Sequence, residues 1–123
     1  MELKNKKTLV LGASDNPSRY SYLAVNKLRN NGIDVAAIGR KKTKVFDVEV
    51  GTEKKAFENI DTVTLYLNPN NQKEYYDYIL SLHPKRIIFN PGTENEELMS
   101  LAKSNGIKSL QACTLVLLST NQF

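Results

Sequence analysis

The sequence predicts an α/β fold built on a mostly parallel sheet, and three observations carry that prediction. Short apolar and β-branched runs alternate with amphipathic helical stretches along the whole chain. Some of the runs are apolar without interruption, as strands covered on both faces must be. Gly, Asn-Pro and Asn-Pro-Gly turns follow the strands and stop them at one edge of the sheet.

Taken in order, Thr8, Leu9, Val10 and Leu11 form a first strand that runs into Gly12, Ala13 and a polar turn from Ser14 to Ser18. The helix that follows, about Arg19–Asn30, places Ser21, Ala24, Val25 and Leu28 on one face, and Asn31-Gly32 closes it. Ile33–Ile38 is a second strand of the fully buried kind. Val45–Val50 alternates apolar and polar residues, which reads as a short edge strand, and its sequel up to Ile60 is at most a short helix. Thr62–Leu67 is a fourth strand that Asn68-Pro69 stops. A helix over about Asn71–Leu82 aligns Tyr75, Tyr78, Ile79 and Leu82. The fifth strand, Lys85–Phe89, ends at Asn90-Pro91-Gly92. Thr93 with Glu96 reads as a capping box for a helix whose face is Leu98, Leu101, Ala102 and Asn105, ended by Gly106. Glu96-Glu97 suit the positive end of that helix. Ile107–Leu110 is a sixth strand.

Strands and helices in this alternation imply one Rossmann-like three-layer domain over residues 1–123, with right-handed crossovers and strand order 3-2-1-4-5-6. The switch point then lies between strands one and four. The ligand crevice should be bounded by the loops after Gly12, Ile38, Leu67 and Phe89. The apolar tail, Cys113–Phe123 with Leu115 to Leu118, is expected to pack back on the domain, giving a monomer; an exposed tail would give a homodimer.

Composition excludes several classes. At 123 residues, 41% apolar and 24% charged, the chain has globular proportions and no run long enough to span a bilayer. No cleavable apolar segment precedes the first strand, and one cysteine excludes an internal disulfide, so a cytoplasmic location is expected. The net charge of +4 gathers at Lys4, Lys6 and Lys7 and again at Arg40, Lys41, Lys42 and Lys44. No aromatic-interleaved basic stretch accompanies it, so nucleic acid is not expected as a partner. His83 precedes Pro84 at a helix–strand junction and reads as a surface residue. Cys113 reads as a buried small hydrophobe. No nucleophile–base pair and no metal spacing stands out.

The strand–Gly–helix start from Thr8 to Tyr22 is the functional focus. Backbone amides converge at a helix N-terminus there and favour an anion such as a phosphate or pyrophosphate. The G-x-G-x-x-G fingerprint is incomplete, with Ser14 at the second glycine and Pro17 at the third, so the residues alone leave a plain tight turn and a phosphate cradle both open. No acid directly follows Ile38 to hold a ribose, as an NAD site would want. Arg40, Lys41 and Lys42 form either a solvated loop or a contact for a 2′- or 3′-phosphate.

The GAS-x-x-P-x-R-x-S-Y turn of Gly12 to Tyr22, the Asn68-Pro69 pair and the PG-x-x-N-E-E run from Pro91 together resemble the small, free-standing CoA-binding domain proteins. Those proteins are themselves similar to the N-terminal CoA-binding domain of the succinyl-CoA synthetase α subunit. The resemblance runs from about Lys7 to Cys113. It implies that Gly12, Ala13, Ser14, Arg19 and Ser21, with Tyr22 closing the motif, hold the CoA pyrophosphate. It further implies that the loop at Gly39, Arg40, Lys41 and Lys42 meets the adenosine end, and that Asn68, Pro69, Pro91 and Gly92 form the walls. Gly39-Arg40 stands where the family has Asn-Pro, and Asn90 where it has glutamine. The function expected is a non-enzymatic module binding CoA or acyl-CoA. The alternative is an NADP-binding, oxidoreductase-like protein or fragment, which the basic loop permits but the length disfavours, since no second region holds a substrate. A ligase remnant is a third reading, lacking the synthetase's phosphorylatable histidine and second domain.

Overall fold

The computed structural model describes residues 3–123. The chain runs β1 (Thr8–Ala13), α1 (Tyr20–Asn30), β2 (Val35–Gly39), β3 (Thr43–Val45), β4 (Val48–Gly51) and β5 (Thr62–Leu65). It continues through α2 (Pro69–Gln72), α3 (Tyr76–Ser81), β6 (Arg86–Phe89), α4 (Glu96–Ser104), β7 (Lys108–Gln111) and α5 (Thr114–Ser119). One seven-stranded sheet results, ordered β3-β4-β2-β1-β5-β6-β7, and every pairing is parallel except β3 with β4.

The helices bury one apolar stripe each against opposite faces of the sheet. On one face Val25 and Leu28 of α1 and Leu117 and Leu118 of α5 cover Val10, Ala37, Val50 and Ile88. On the other, Ile79 of α3 and Leu98 and Ala102 of α4 cover Leu9, Leu11, Ile38, Val63, Leu65 and Phe89. The tail therefore packs back as α5, beside α1, and Phe123 joins the same core. The order is the expected one with a single difference. The third strand is a hairpin whose second arm, β4, lies parallel to β2 while the first arm turns back as the sheet edge.

The hairpin bends at Phe46, exposed and with φ 55°, a backbone state that glycine or asparagine usually fills. The crossover from β4 to β5 carries no helix. The expected helix over 71–82 is broken instead into α2, a 3-10 turn at Lys73–Tyr75 and α3, and the break follows Gln72, whose side chain is fully buried. The capping box is also corrected. The Thr93 hydroxyl donates to the Asn90 carbonyl, so Asn95 becomes the N-cap of α4 and its Oδ1 accepts from the Glu97 and Leu98 amides. Cys113 is partly exposed at the N-cap of α5 rather than buried. His83 is exposed, before β6.

Candidate functional site: the crevice between β1 and β5

The carboxyl ends of β1, β2, β5 and β6 open onto a crevice of about 1220 Å³ at the topological switch point. Its floor depends on two glycines. Gly12 is the extra residue of a bulge, since register slips between Leu11 and Ala13, and it has φ 96°. A Cβ there would lie 3.0 Å from the Tyr66 carbonyl carbon, while a Cβ on Gly39 would lie 2.3 Å from the Ala13 carbonyl oxygen. Backbone closes the space at Gly39, and at Gly12 the positive φ together with the close approach of Tyr66 favours glycine.

Above the bulge the turn is organised by short side-chain contacts. Ser14 Oγ accepts from the Asn16 amide at 3.1 Å, and Asn16 Oδ1 accepts from the Ser18 amide and hydroxyl at 3.0 and 2.8 Å. Arg19 is the N-cap of α1 in extended backbone, and no side chain caps the helix. No acidic residue occupies its first turn either. The Arg19 and Tyr22 amides are bonded to the Asn16 and Arg19 carbonyls, which leaves those of Tyr20 and Ser21, on the crevice wall, without a protein acceptor at the positive end of the helix.

The basic loop after β2 is divided among three directions. Lys41 Nζ lies 3.2 Å from Asp15 Oδ2, and the same oxygen accepts from the Thr43 hydroxyl at 2.8 Å. The Thr43 hydroxyl, and then the Lys41 ammonium, hold the Asp15 carboxyl below the usual range. Arg40 is exposed on the crevice wall. Lys42 faces a different groove of about 590 Å³, over β2 and β4, where the helix-free crossover leaves the sheet uncovered.

The opposite wall is built from buried amides. Gln72 Nε2 donates to the carbonyls of Leu67 and Thr93, both at 2.8 Å, and its Oε1 accepts from Asn95 Nδ2 at 2.9 Å. Asn90 Nδ2 donates to Thr64 Oγ1 and the Leu65 carbonyl, and Asn90 Oδ1 accepts from the Thr114 amide. These two side chains tie the loop after β5 to the loop after β6. Tyr66 Oη lies buried beside the Thr64 and Thr114 hydroxyls, which are engaged with each other, so it forms no bond of good geometry. Burial pushes the Tyr66 phenol up to about 12.

Of the residues expected in the site, Gly12, Ala13, Ser14, Arg19, Ser21, Gly39, Arg40, Lys41, Asn68, Pro91 and Gly92 all line this one crevice. Three do not. The Tyr22 ring packs against the α1-side core, Pro69 is the first residue of α2 and points outside the crevice, and Lys42 faces the other groove. Ser21 is buried in the first turn of α1, and Asn68 Oδ1 is taken by the Asn71 amide as the cap of α2. Asp15, Tyr20, Thr43, Thr52, Tyr66 and Glu74 are among the further lining residues that were not expected in the site. Only Asp15 carried a sequence signal, its place inside the turn. Among the described residues no cluster has the makings of a metal site, and no helix is long and apolar enough to cross a membrane.

A family model described as "CoA binding domain" matches residues 6–119. Among solved structures, an uncharacterized protein is 52% identical with a TM-score of 0.93, the match covering 96% of this chain and 98% of that one. A protein from Thermus thermophilus is 22% identical with a TM-score of 0.84, covering 98% of this chain and 93% of that one. A hypothetical protein from Pyrococcus horikoshii is 24% identical with a TM-score of 0.83, covering 90% and 80%. These last two share the fold. No curated protein sequence matches the chain.

Proposed function

Because the chain belongs to the CoA binding domain family, we propose that it is a CoA-binding module that works by binding rather than by turnover. The observation that carries this reading is the uncapped N-terminus of α1, opening beside the Gly12–Ser14 turn onto the crevice. An anionic group placed there meets unpaired backbone donors and the positive end of the helix. The pyrophosphate of CoA supplies such a group. Its adenosine end would then lie toward Gly39 and Arg40, and its pantetheine arm would run between the walls formed by Asn68, Pro91 and Gly92. Arg40 is the cation of that loop that no carboxylate engages, so it is the first to meet the 3′-phosphate, while Lys41 is shared with Asp15 and Lys42 faces elsewhere. A binding role agrees with His83 lying at the opposite end of the strands from the crevice and with Cys113 lying outside the crevice lining.

Calorimetric titration with CoA, dephospho-CoA, NADP and NAD at one salt concentration tests the reading. CoA should bind more tightly than dephospho-CoA by about tenfold, the low end expected of one charge-assisted hydrogen bond to phosphate. Absence of CoA binding would sink the proposal. Tighter binding of NADP than of CoA would favour a dinucleotide protein instead.

A further inference from the structure

We propose that Asp15 is an internal competitor for the ligand: its carboxylate engages Lys41 at the rim of the crevice and so holds down affinity for phosphate-bearing ligands. The inference rests on the reading above for where the phosphates go. Asp15 stands one residue beyond Ser14 in the turn beside the α1 N-terminus, and Lys41 stands in the neighbouring loop after β2, on the same wall of the crevice. Their 3.2 Å contact spans the two loops that a pyrophosphate and a ribose phosphate would each approach. A single oxygen, Oδ2, receives both Lys41 and Thr43.

Two properties make the contact displaceable. The Lys41 side chain is 71% exposed and that of Asp15 35%, so water screens the pair and either partner can swing away. A terminal phosphate carries close to two negative charges near neutral pH, so it outbids a single carboxylate for the same ammonium. The charge of Asp15 remains in the crevice after Lys41 leaves and repels what has entered. Of the other charges on these walls, Arg19 and Arg40 favour an anion and Glu74 opposes one. Asp15 is the acid within reach of a cation there, and it converts that cation from a ligand into a clasp.

Asp15→Asn keeps an oxygen for Thr43 and removes the charge. At low, fixed salt it should tighten CoA binding about threefold, the scale of one screened surface pair. Dephospho-CoA should gain less and adenosine nothing. In a Lys41→Ala background most of the gain should disappear, because the competitor then has nothing to hold. Asp15→Ser is measured alongside, and melting curves verify that each variant is folded. Unchanged or weaker CoA binding by folded Asp15→Asn would overturn the proposal, as would a full gain in the Lys41→Ala background. If the wild type binds no CoA compound, the CoA reading fails by itself, and the same variants titrated with inorganic pyrophosphate still decide this one. Failure of every protein to bind pyrophosphate overturns both.

Discussion

The two walls of the crevice are held by opposite means. On the β5–β6 side, Gln72 and Asn90 are buried amides that spend nearly all their hydrogen-bonding capacity on loop backbone and neighbouring side chains. On the β1–β2 side, the contacts are among Ser14, Asn16, Ser18, Asp15, Lys41 and Thr43, all at least partly in water. A buried polar group left without its partner costs about 1–3 kcal/mol, whereas an exposed pair contributes at most about 1 kcal/mol. One wall is therefore fixed by folding itself, and the other is free to rearrange around whatever it binds. Damage to the first should appear as lost stability, and damage to the second as lost affinity.

The strongest way to break this contrast is Gln72→Leu. It strands the buried Thr93 carbonyl and the partly buried Leu67 carbonyl, leaves the Asn95 amide with Tyr76 alone, and should cost about 3 kcal/mol in urea denaturation. A loss below about 1 kcal/mol would mean that the buried wall is no more rigid than the exposed one. Gly39→Ala comes next. Its methyl group meets the Ala13 carbonyl oxygen at 2.3 Å, so β1 and β2 must part, at a cost of about 1–3 kcal/mol in the same assay. Gly12→Val belongs with it, because the contact at 3.0 Å is with protein backbone and the fold suffers along with the site.

Arg40→Ala sharpens the other half of the comparison. The thermal midpoint should stay within about a degree while CoA affinity falls about tenfold and dephospho-CoA affinity hardly moves. A lowered midpoint would place Arg40 in the scaffold. The smallest effect concerns pH and is absent near neutrality. Burial raises the Tyr66 and Tyr78 phenols to about 12 from an ordinary value of 10.0. The folded chain therefore keeps those protons where the unfolded chain sheds them. Stability should be intact below about pH 10 and decline as pH climbs toward 12, and Tyr66→Phe should make that decline shallower. Denaturant unfolding at a series of alkaline pH values reads the slope. An identical slope for the variant would show that Tyr66 is not the buried phenol responsible.

The same division explains what could be read from the chain beforehand. Strand and helix periods are local, so the alternation, the central strand order and the crevice at Gly12, Ile38, Leu67 and Phe89 were legible. The hairpin was not, because its bend falls on Phe46, which carries no turn signal, and the backbone there adopts a conformation that side chains rarely choose. Thr93 and Asn95 are both good caps on paper. Only the fold shows that Asn90 has already claimed the Thr93 hydroxyl. Gln72 sits in a polar, aromatic stretch and looks like a surface residue until Thr93, twenty-one positions on, is brought against it. Asp15 and Lys41 likewise meet only because β1 and β2 are neighbours in the sheet.

The return of α5 has a mechanical consequence for the crevice. Every strand up to β4 lies on one side of it and every strand from β5 onward on the other, and the sheet crosses only through the pairing of Thr8 to Leu11 with Thr62 to Leu65. That seam is one continuous parallel ladder of four residues. Here the last helix leaves β7, crosses behind the seam and packs on α1, and Phe123 lies against Lys6 and Arg86 from opposite sides of it. The crevice is thus braced across its back by the sheet ladder and by α5, which favours rearrangement in the loops at its mouth over movement of its two halves.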